Sequence, residues 1–206
     1  MEQYRMHNHK ETRSVEVVAN DLKEWFNANH PDYAALLNPG ASQDDLSTLK
    51  EFFDNRIPEE VIEFYRHVNG QSDLDRPILL NGYVLLPASE VIKTWKTTKA
   101  SMEIVKINYR LDKDFGPIKG YIQNLNWIPI ASNIAGDLYC IDLEPSEAGS
   151  YGQIIRVVKD DINLKQMGDS FKDFLGCYET ALKSGKVIFS EEYQMFINPG
   201  DDEYLN

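Results

Sequence analysis

The stretch that decides the fold is residues 127–158, WIPIASNIAGDLYCIDLEPSEAGSYGQIIRVV. Within it, three short apolar runs at 127–132, 137–143 and 153–158 are separated by segments rich in turn-forming residues. Apolar runs of this length, rich in Ile, Val and Tyr and joined by short connectors, are typical of antiparallel strands. We therefore predict one antiparallel sheet over 127–158, with a turn at 133–136.

Helical periodicity flanks this stretch on both sides, because apolar residues recur there every three or four positions. The predicted helices begin after Ser14, after Ser42 and at Pro58. One long helix, or two with a break, is predicted over 88–109, and a last helix over 171–182. Pro58 is expected at the first helical position. Ser42 and Asp45 have the spacing of a capping box, with Asp in place of the usual Glu. A short strand is predicted at 83–86, and residues 160–168 are expected to lead into the last helix.

These elements together indicate an α+β fold, a small antiparallel sheet packed against several helices. We expect a single domain over residues 1–206, because no segment has the composition of a linker. Residues 14–41 are predicted to add an N-terminal helix to a core at about 46–182. Residues 186–206 are predicted to form a C-terminal extension with a short apolar-aromatic segment and an acidic tail.

The charge of the chain excludes several classes of partner. There are 21 Lys and Arg residues against 33 Asp and Glu residues, a formal net charge of −12. Such a charge repels phosphate, so neither nucleic acid nor an anionic membrane is expected as a partner. No apolar stretch approaches the length of a transmembrane helix, and the N-terminus has no apolar signal region. We therefore expect a cytoplasmic protein.

The sequence contains few patterns that carry chemistry. Cys140 and Cys177 form no CxxC pair and no metal-ligand spacing, so we expect two buried free thiols, with one disulfide as the alternative. Nucleophile-elbow, Walker A and GxGxxG patterns are absent. Asp142 interrupts an apolar run and must be paired if it is buried, either as a site residue or as an acceptor for backbone amides. We predict no catalysis, no cofactor and no bound metal.

One set of residues in and beside the strands has the pattern of a family motif. It consists of Trp127, Pro129, Asn133, Gly136, Asp137, Asp142 and Gly152. This pattern resembles the SUKH superfamily, which includes yeast cell-wall glucan-synthesis regulators and many bacterial immunity proteins. IPEE at 57–60, VNG at 68–70 and SFKDFL at 170–175 extend the resemblance over about 46–182.

The resemblance implies a protein-binding α+β domain rather than an enzyme. We interpret the motif residues as structural. Trp127 is predicted to be buried and to anchor the sheet against a helix, and Pro129 to mark an edge or a bulge. Gly136 is expected in a tight turn at positive φ, and Asp142 is expected to accept hydrogen bonds from a following loop.

Three functional hypotheses follow. The first is a bacterial immunity protein that binds and neutralises a toxin, possible partners being basic toxin domains. The second is a regulatory or scaffold protein in cell-wall or glucan-synthesis signalling. The third is an enzyme whose site would lie around Asp137 and Asp142, if both face one cleft. The predicted partner-binding surface is acidic and consists of Glu59, Glu60, Glu63, Asp73, Asp75, Asp160 and Asp161.

Overall fold

The computed structural model describes residues 13–105, 110–159 and 161–199. Within them the helices are α1 Val15–Asn29, α2 Pro31–Ala34, α3 Gln43–Phe52, α4 Glu59–His67, α5 Ala88–Val105 and α6 Phe171–Lys183. The strands are β1 Val84–Leu85, β2 Trp127–Ser132, β3 Leu138–Asp142, β4 Gln153–Val157, β5 Leu164–Gly168, β6 Ile188–Ser190 and β7 Met195–Ile197. The fold is α+β, as predicted.

Five strands form one antiparallel sheet in the order β1-β2-β3-β4-β5. The strands predicted over 127–158 are its three central members, and their turn lies at 133–136 as expected. The sequence interpretation missed β5, which pairs with β4 at the edge of the sheet. Four of the five β5 residues are only half-buried, so this strand shows no apolar run in the sequence.

Caps determine where the helices begin. The Ser14 hydroxyl accepts a hydrogen bond from the Val17 amide at the start of α1. Ser42 and Asp45 form the predicted capping box, with each side chain bonded to the backbone amide of the other residue. Pro58 is the N-cap of α4 rather than its first helical residue. Helix α5 is described to Val105, and the remaining predicted positions, 106–109, lie outside the described residues.

The two faces of the sheet pack against different elements. The larger core lies between the sheet and the helices and includes Ile128, Tyr139, Ile141 and Ile154. Trp127 is 4% exposed, so its predicted burial is confirmed. The expectation that it anchors the sheet against a helix is wrong. Its ring packs on the opposite face in a smaller cluster, with residues of 115–121 lying over it.

The two terminal extensions pack against each other. Strands β6 and β7 pair as a hairpin, and Phe196 of β7 is fully buried. Its ring lies within about 6.5 Å, centroid to centroid, of five aromatic rings. Those rings belong to Trp25, Phe26, His30, Tyr33 and Phe189. The N-terminal helices and the C-terminal hairpin therefore share one aromatic cluster.

Candidate functional site

Three motif-region side chains form a row across the sheet. Trp127 of β2 pairs with Asp142 of β3, which in turn pairs with Gln153 of β4. Because paired residues project to the same side of a sheet, all three lie on the face opposite the main core. Asp142 and Gln153 are fully buried there.

The Asp142 carboxylate is held by hydrogen bonds. It accepts one from the Glu144 amide at 2.9 Å and one from the Gln153 side-chain amide at 2.8 Å. Burial raises the pKa of Asp142 above its ordinary value, although these two bonds oppose that increase. The sequence prediction of an acceptor for the following loop agrees with this geometry.

Gln153 connects this carboxylate to the surrounding loops. Its side-chain nitrogen also donates to the Pro117 carbonyl at 2.9 Å. Its side-chain oxygen accepts from the Ser150 amide at 3.2 Å and from the Gln166 amide group at 3.0 Å. Every hydrogen-bonding atom of this buried amide therefore has a partner, which is the condition under which a buried polar network stabilises a core.

Glu144 connects the segment before β2, residues 119–126, to the same hydrogen-bond network. Its carboxylate accepts from the side chains of Lys119, Asn124 and Asn126 at 2.8–3.0 Å. Burial alone would raise the pKa of Glu144, but these three donors outweigh it and hold that pKa below its ordinary value. The sequence interpretation assigned no role to the side chains of Glu144 and Gln153, because neither residue interrupts an apolar run.

Asp137 lies at the other end of β3, about 16 Å from Asp142 by strand rise. It accepts hydrogen bonds from the Asn133 side chain at 3.1 Å and from the Lys159 amide at 3.0 Å. Asn133 in return accepts from the Asp137 amide, which closes the β2–β3 turn. The two motif carboxylates thus face different surroundings and do not share a cleft.

The remaining motif residues shape the backbone. The β2–β3 register shifts between Pro129 and Ala131, which is the predicted bulge. Gly136 has a φ of 88° in the turn, a conformation that glycine adopts without a Cβ clash. Gly152 lies against Pro58, whose Cγ would be 2.7 Å from an added Cβ.

Part of the predicted acidic surface is neutralised within the chain. Glu59 forms ion pairs with Lys50 and Arg66, and Glu63 pairs with Arg66. Glu60 accepts a hydrogen bond from the Phe171 amide at 2.7 Å, which positions the start of α6. The side-chain hydrogen bond from Lys50 holds the pKa of Glu59 below its ordinary value, against the effect of burial.

The other acidic residues lie on loops. Asp73 is half-buried and accepts a hydrogen bond from the amide of Asp75, which is itself exposed. Asp161 is exposed after β4, and Asp160 lies outside the described residues. The structure therefore places Asp73 with Asp75 in one loop and Asp161 in another.

A polar pocket of about 280 Å³ opens at one end of the sheet. Its lining residues are Asn81, Tyr83, Asn133, Asp137, Arg156, Val158 and Asn163. Two of them, Asn133 and Asp137, belong to the motif. The sequence interpretation missed the others, because they come from three separate segments that only the sheet brings together.

Two further groups of side chains contain the residue types that metal or redox chemistry uses. Glu16, Glu63 and His67 each place one ligand atom within 4.8 Å of the others. Arg66 already pairs with Glu63, and its positive charge disfavours a cation there. Cys140 and Cys177 are both free, with Cys140 buried and Cys177 only half-buried. Burial raises the pKa of Cys177 to about 11, which leaves it protonated and weakly nucleophilic at neutral pH.

The comparison with protein families places this chain in a known group. The model of the SMI1 / KNR4 family (SUKH-1) matches residues 40–177, which include all seven motif residues. The chain belongs to this family. The match ends before the C-terminal hairpin and begins after α2, so all six rings of the shared aromatic cluster lie outside it.

Curated relatives come from fungi and a plant. A cell wall biosynthesis/cell cycle regulator of Schizosaccharomyces pombe is 24% identical over 83% of this chain and 36% of its own length. The cell wall assembly regulator SMI1 of Saccharomyces cerevisiae is 22% identical over 88% of this chain and 43% of its own length. F-box protein SKIP16 of Arabidopsis thaliana is 29% identical over 54% of this chain and 28% of its own length. The chain thus spans less than half of each of these relatives.

None of the described helices combines the length and the apolar character that crossing a membrane requires.

Proposed function

We propose that this chain is a non-enzymatic regulatory module that binds a protein partner, in the manner of the cell-wall regulators it resembles. The observation that carries the proposal is the family match over 40–177, together with fungal relatives named as cell wall regulators. This was the second of the three sequence hypotheses, and the comparisons favour it over the first.

The arrangement of the motif supports a binding role over a catalytic one. Asp142, its best candidate for acid–base chemistry, is fully buried and bonded to a loop amide and to Gln153. General acid–base catalysis needs a group within reach of a substrate. A motif that maintains a scaffold leaves recognition to surface loops, as is usual for binding domains.

A chimera tests the proposal. The segment of the Schizosaccharomyces pombe regulator that aligns with this chain would be replaced by this chain, and growth would be measured under cell-wall stress. We expect the chimera to restore growth relative to a version that lacks the segment. A chimera with Gly70→Ala, in which the added Cβ would lie 2.3 Å from the Pro87 nitrogen, serves as the negative control. Equal growth of the chimera and the deletion, at equal protein abundance, would contradict the proposal.

A second candidate is toxin neutralisation, favoured by the net charge of −12 and by the acidic loop that contains Asp73 and Asp75. Opposite charges speed association, and salt weakens the effect as the Debye length shortens from about 30 Å at 0.01 M to about 8 Å at physiological ionic strength. The test is the association rate with the product of the adjacent upstream gene. We expect that rate to fall with added salt and with joint Asp73→Asn and Asp75→Asn substitution. Absence of binding would exclude this candidate and leave the regulatory proposal intact.

A further inference from the structure

We propose that the pocket at the end of the sheet binds an extended peptide segment of a protein partner. A polar amide of the peptide would occupy the pocket, and its flanking apolar side chains would lie on Ile134 and Ile162. This inference rests on the proposed function, because it names the site through which the module would bind its partner.

The pocket lies where three loops meet. Strand β1 begins here, the β2–β3 turn closes here, and β4 leads into β5 here. Asn81 and Tyr83 precede β1, Asn133 and Asp137 belong to the turn, and Asn163 precedes β5. Loops gathered at one end of a rigid sheet are a common place for recognition.

Asn81 gives the first indication of a ligand. The residue is 8% exposed, and its Oδ1 atom has no hydrogen-bond partner within the described part of the chain. Its backbone has a φ of 69°, and its backbone amide donates a hydrogen bond to the Phe196 carbonyl at 2.8 Å. A buried acceptor without a donor is costly, and native proteins usually provide a partner for it. A ligand that donates an N–H or O–H group would meet that need.

The charges of the pocket indicate a neutral ligand. Arg156 contributes one positive charge and Asp137 one negative charge to the lining. Asn81 and Asn163 add amide groups, which both donate and accept. A ligand that matches this lining has donors and acceptors but no net charge, as a peptide bond or a Gln or Asn side chain does. The volume of about 280 Å³ leaves room for such a group.

The rim of the pocket favours a peptide over a sugar. Ile134 follows the lining residue Asn133 in the chain and is fully exposed, and Ile162 precedes the lining residue Asn163 and is also exposed. Apolar side chains exposed beside a polar pocket suit the alternating side chains of an extended peptide. The Tyr83 ring is buried and stacks on Tyr139 at 3.8 Å, so it offers no free aromatic face to a sugar.

The test is an NMR titration of the whole chain with the capped peptide acetyl-Leu-Gln-Leu-amide. We expect shifts of the amide signals of Asn133, Asp137 and Arg156, with a Kd in the millimolar range typical of a small ligand, about 1 mM. Acetyl-Leu-Leu-Leu-amide should bind about fivefold or more weakly, because it lacks the polar group. A trimer of β-linked glucose is the third probe.

Two variants and a control make the test specific. Asn81→Gly removes the side chain and tolerates the positive φ, and Ile134→Ser changes a fully exposed position. Each should weaken binding about fivefold, whereas Ile104→Ser, at an exposed position on α5, should leave it unchanged. If Asn81→Gly fails to fold, Ile134→Ser alone decides.

Several results would overturn the inference. They are absence of shifts at the pocket, equal binding by wild type, Asn81→Gly and Ile134→Ser, and binding of the glucose trimer in place of the peptide. These outcomes are distinct from failure of the proposed function. If the chimera restores growth but the peptide does not bind, the pocket assignment fails and the regulatory role stands. If the peptide binds but the chimera does not restore growth, the pocket assignment stands and the regulatory role fails.

Discussion

Replacement of Asp142 by Asn tests whether the motif carboxylate maintains the fold. Asp142 accepts two hydrogen bonds, from the Glu144 amide and from the Gln153 side-chain nitrogen. Asn has one acceptor oxygen, so its NH₂ group must face one of these two donors. Gln153 cannot rotate to relieve the clash without losing its bonds to Pro117, Ser150 and Gln166. One buried donor is left unpaired, which costs about 1–3 kcal/mol of unfolding free energy.

The pH dependence of this cost has a definite sign. Burial raises the pKa of Asp142, so the ionised carboxylate is less favourable in the folded chain than in the unfolded chain. The contribution of Asp142 to the unfolding free energy of wild type therefore falls as the pH rises from the ordinary pKa through the raised pKa. The Asn variant lacks the titration. We expect the advantage of wild type to be largest in acid and to level off above the raised pKa.

The assay is urea unfolding of wild type and variant, followed by tryptophan fluorescence at several pH values. Asp137→Asn is the matched control, because Asp137 also accepts two hydrogen bonds but is only half-buried. It should cost less than about 1 kcal/mol, because water can reach the altered group. An Asp142→Asn variant within about 0.5 kcal/mol of wild type at all pH values would refute the structural role.

Two further substitutions test the packing. Trp127→Ala should lower the unfolding free energy by about 3–5 kcal/mol, because it removes a ring that is 4% exposed; an unchanged urea midpoint would contradict this burial. Gly70→Ala should destabilise the chain far more than Gly116→Ala, as measured by thermal unfolding. Both glycines have positive φ, but an added Cβ at Gly70 would lie 2.3 Å from the Pro87 nitrogen, whereas an added Cβ at Gly116 would have no atom within 4 Å. Equal effects of the two substitutions would show that the backbone shifts at Gly70 to make room for the Cβ.

The sequence predicts the central strands well because their signals are local. β2 and β3 are apolar runs joined by a turn that contains Gly136, and both features are visible within residues 127–142. β5 has no such signal, since an edge strand with half-buried residues does not need an apolar run. β6 and β7 lie in the predicted apolar-aromatic segment, but each is only three residues long, which is too short to show an alternating pattern.

The site is less predictable because its members are distant in sequence. Burial of Asp142 follows from its position in an apolar run, but its partner Gln153 and the pocket residue Asn81 become neighbours only through strand pairing. The position of Trp127 in the fold is also only partly predictable from the sequence. Its burial follows from residue type, whereas period-two alternation does not say which face of the sheet a helix covers. A segment without helical character covers the face on which Trp127 lies.

The aromatic cluster formed by the two terminal extensions has a consequence for the order of synthesis. The ribosome synthesises Phe26 early, but Phe196, whose ring packs against Phe26 in the cluster, follows 170 residues later. At about 5–20 residues per second, the ribosome needs about 8–34 s to make the intervening chain. During that interval the apolar side of α1 lacks its final cover. We expect nascent chains arrested before Phe196 to bind chaperones through residues 15–34 and to be released once the last strand emerges.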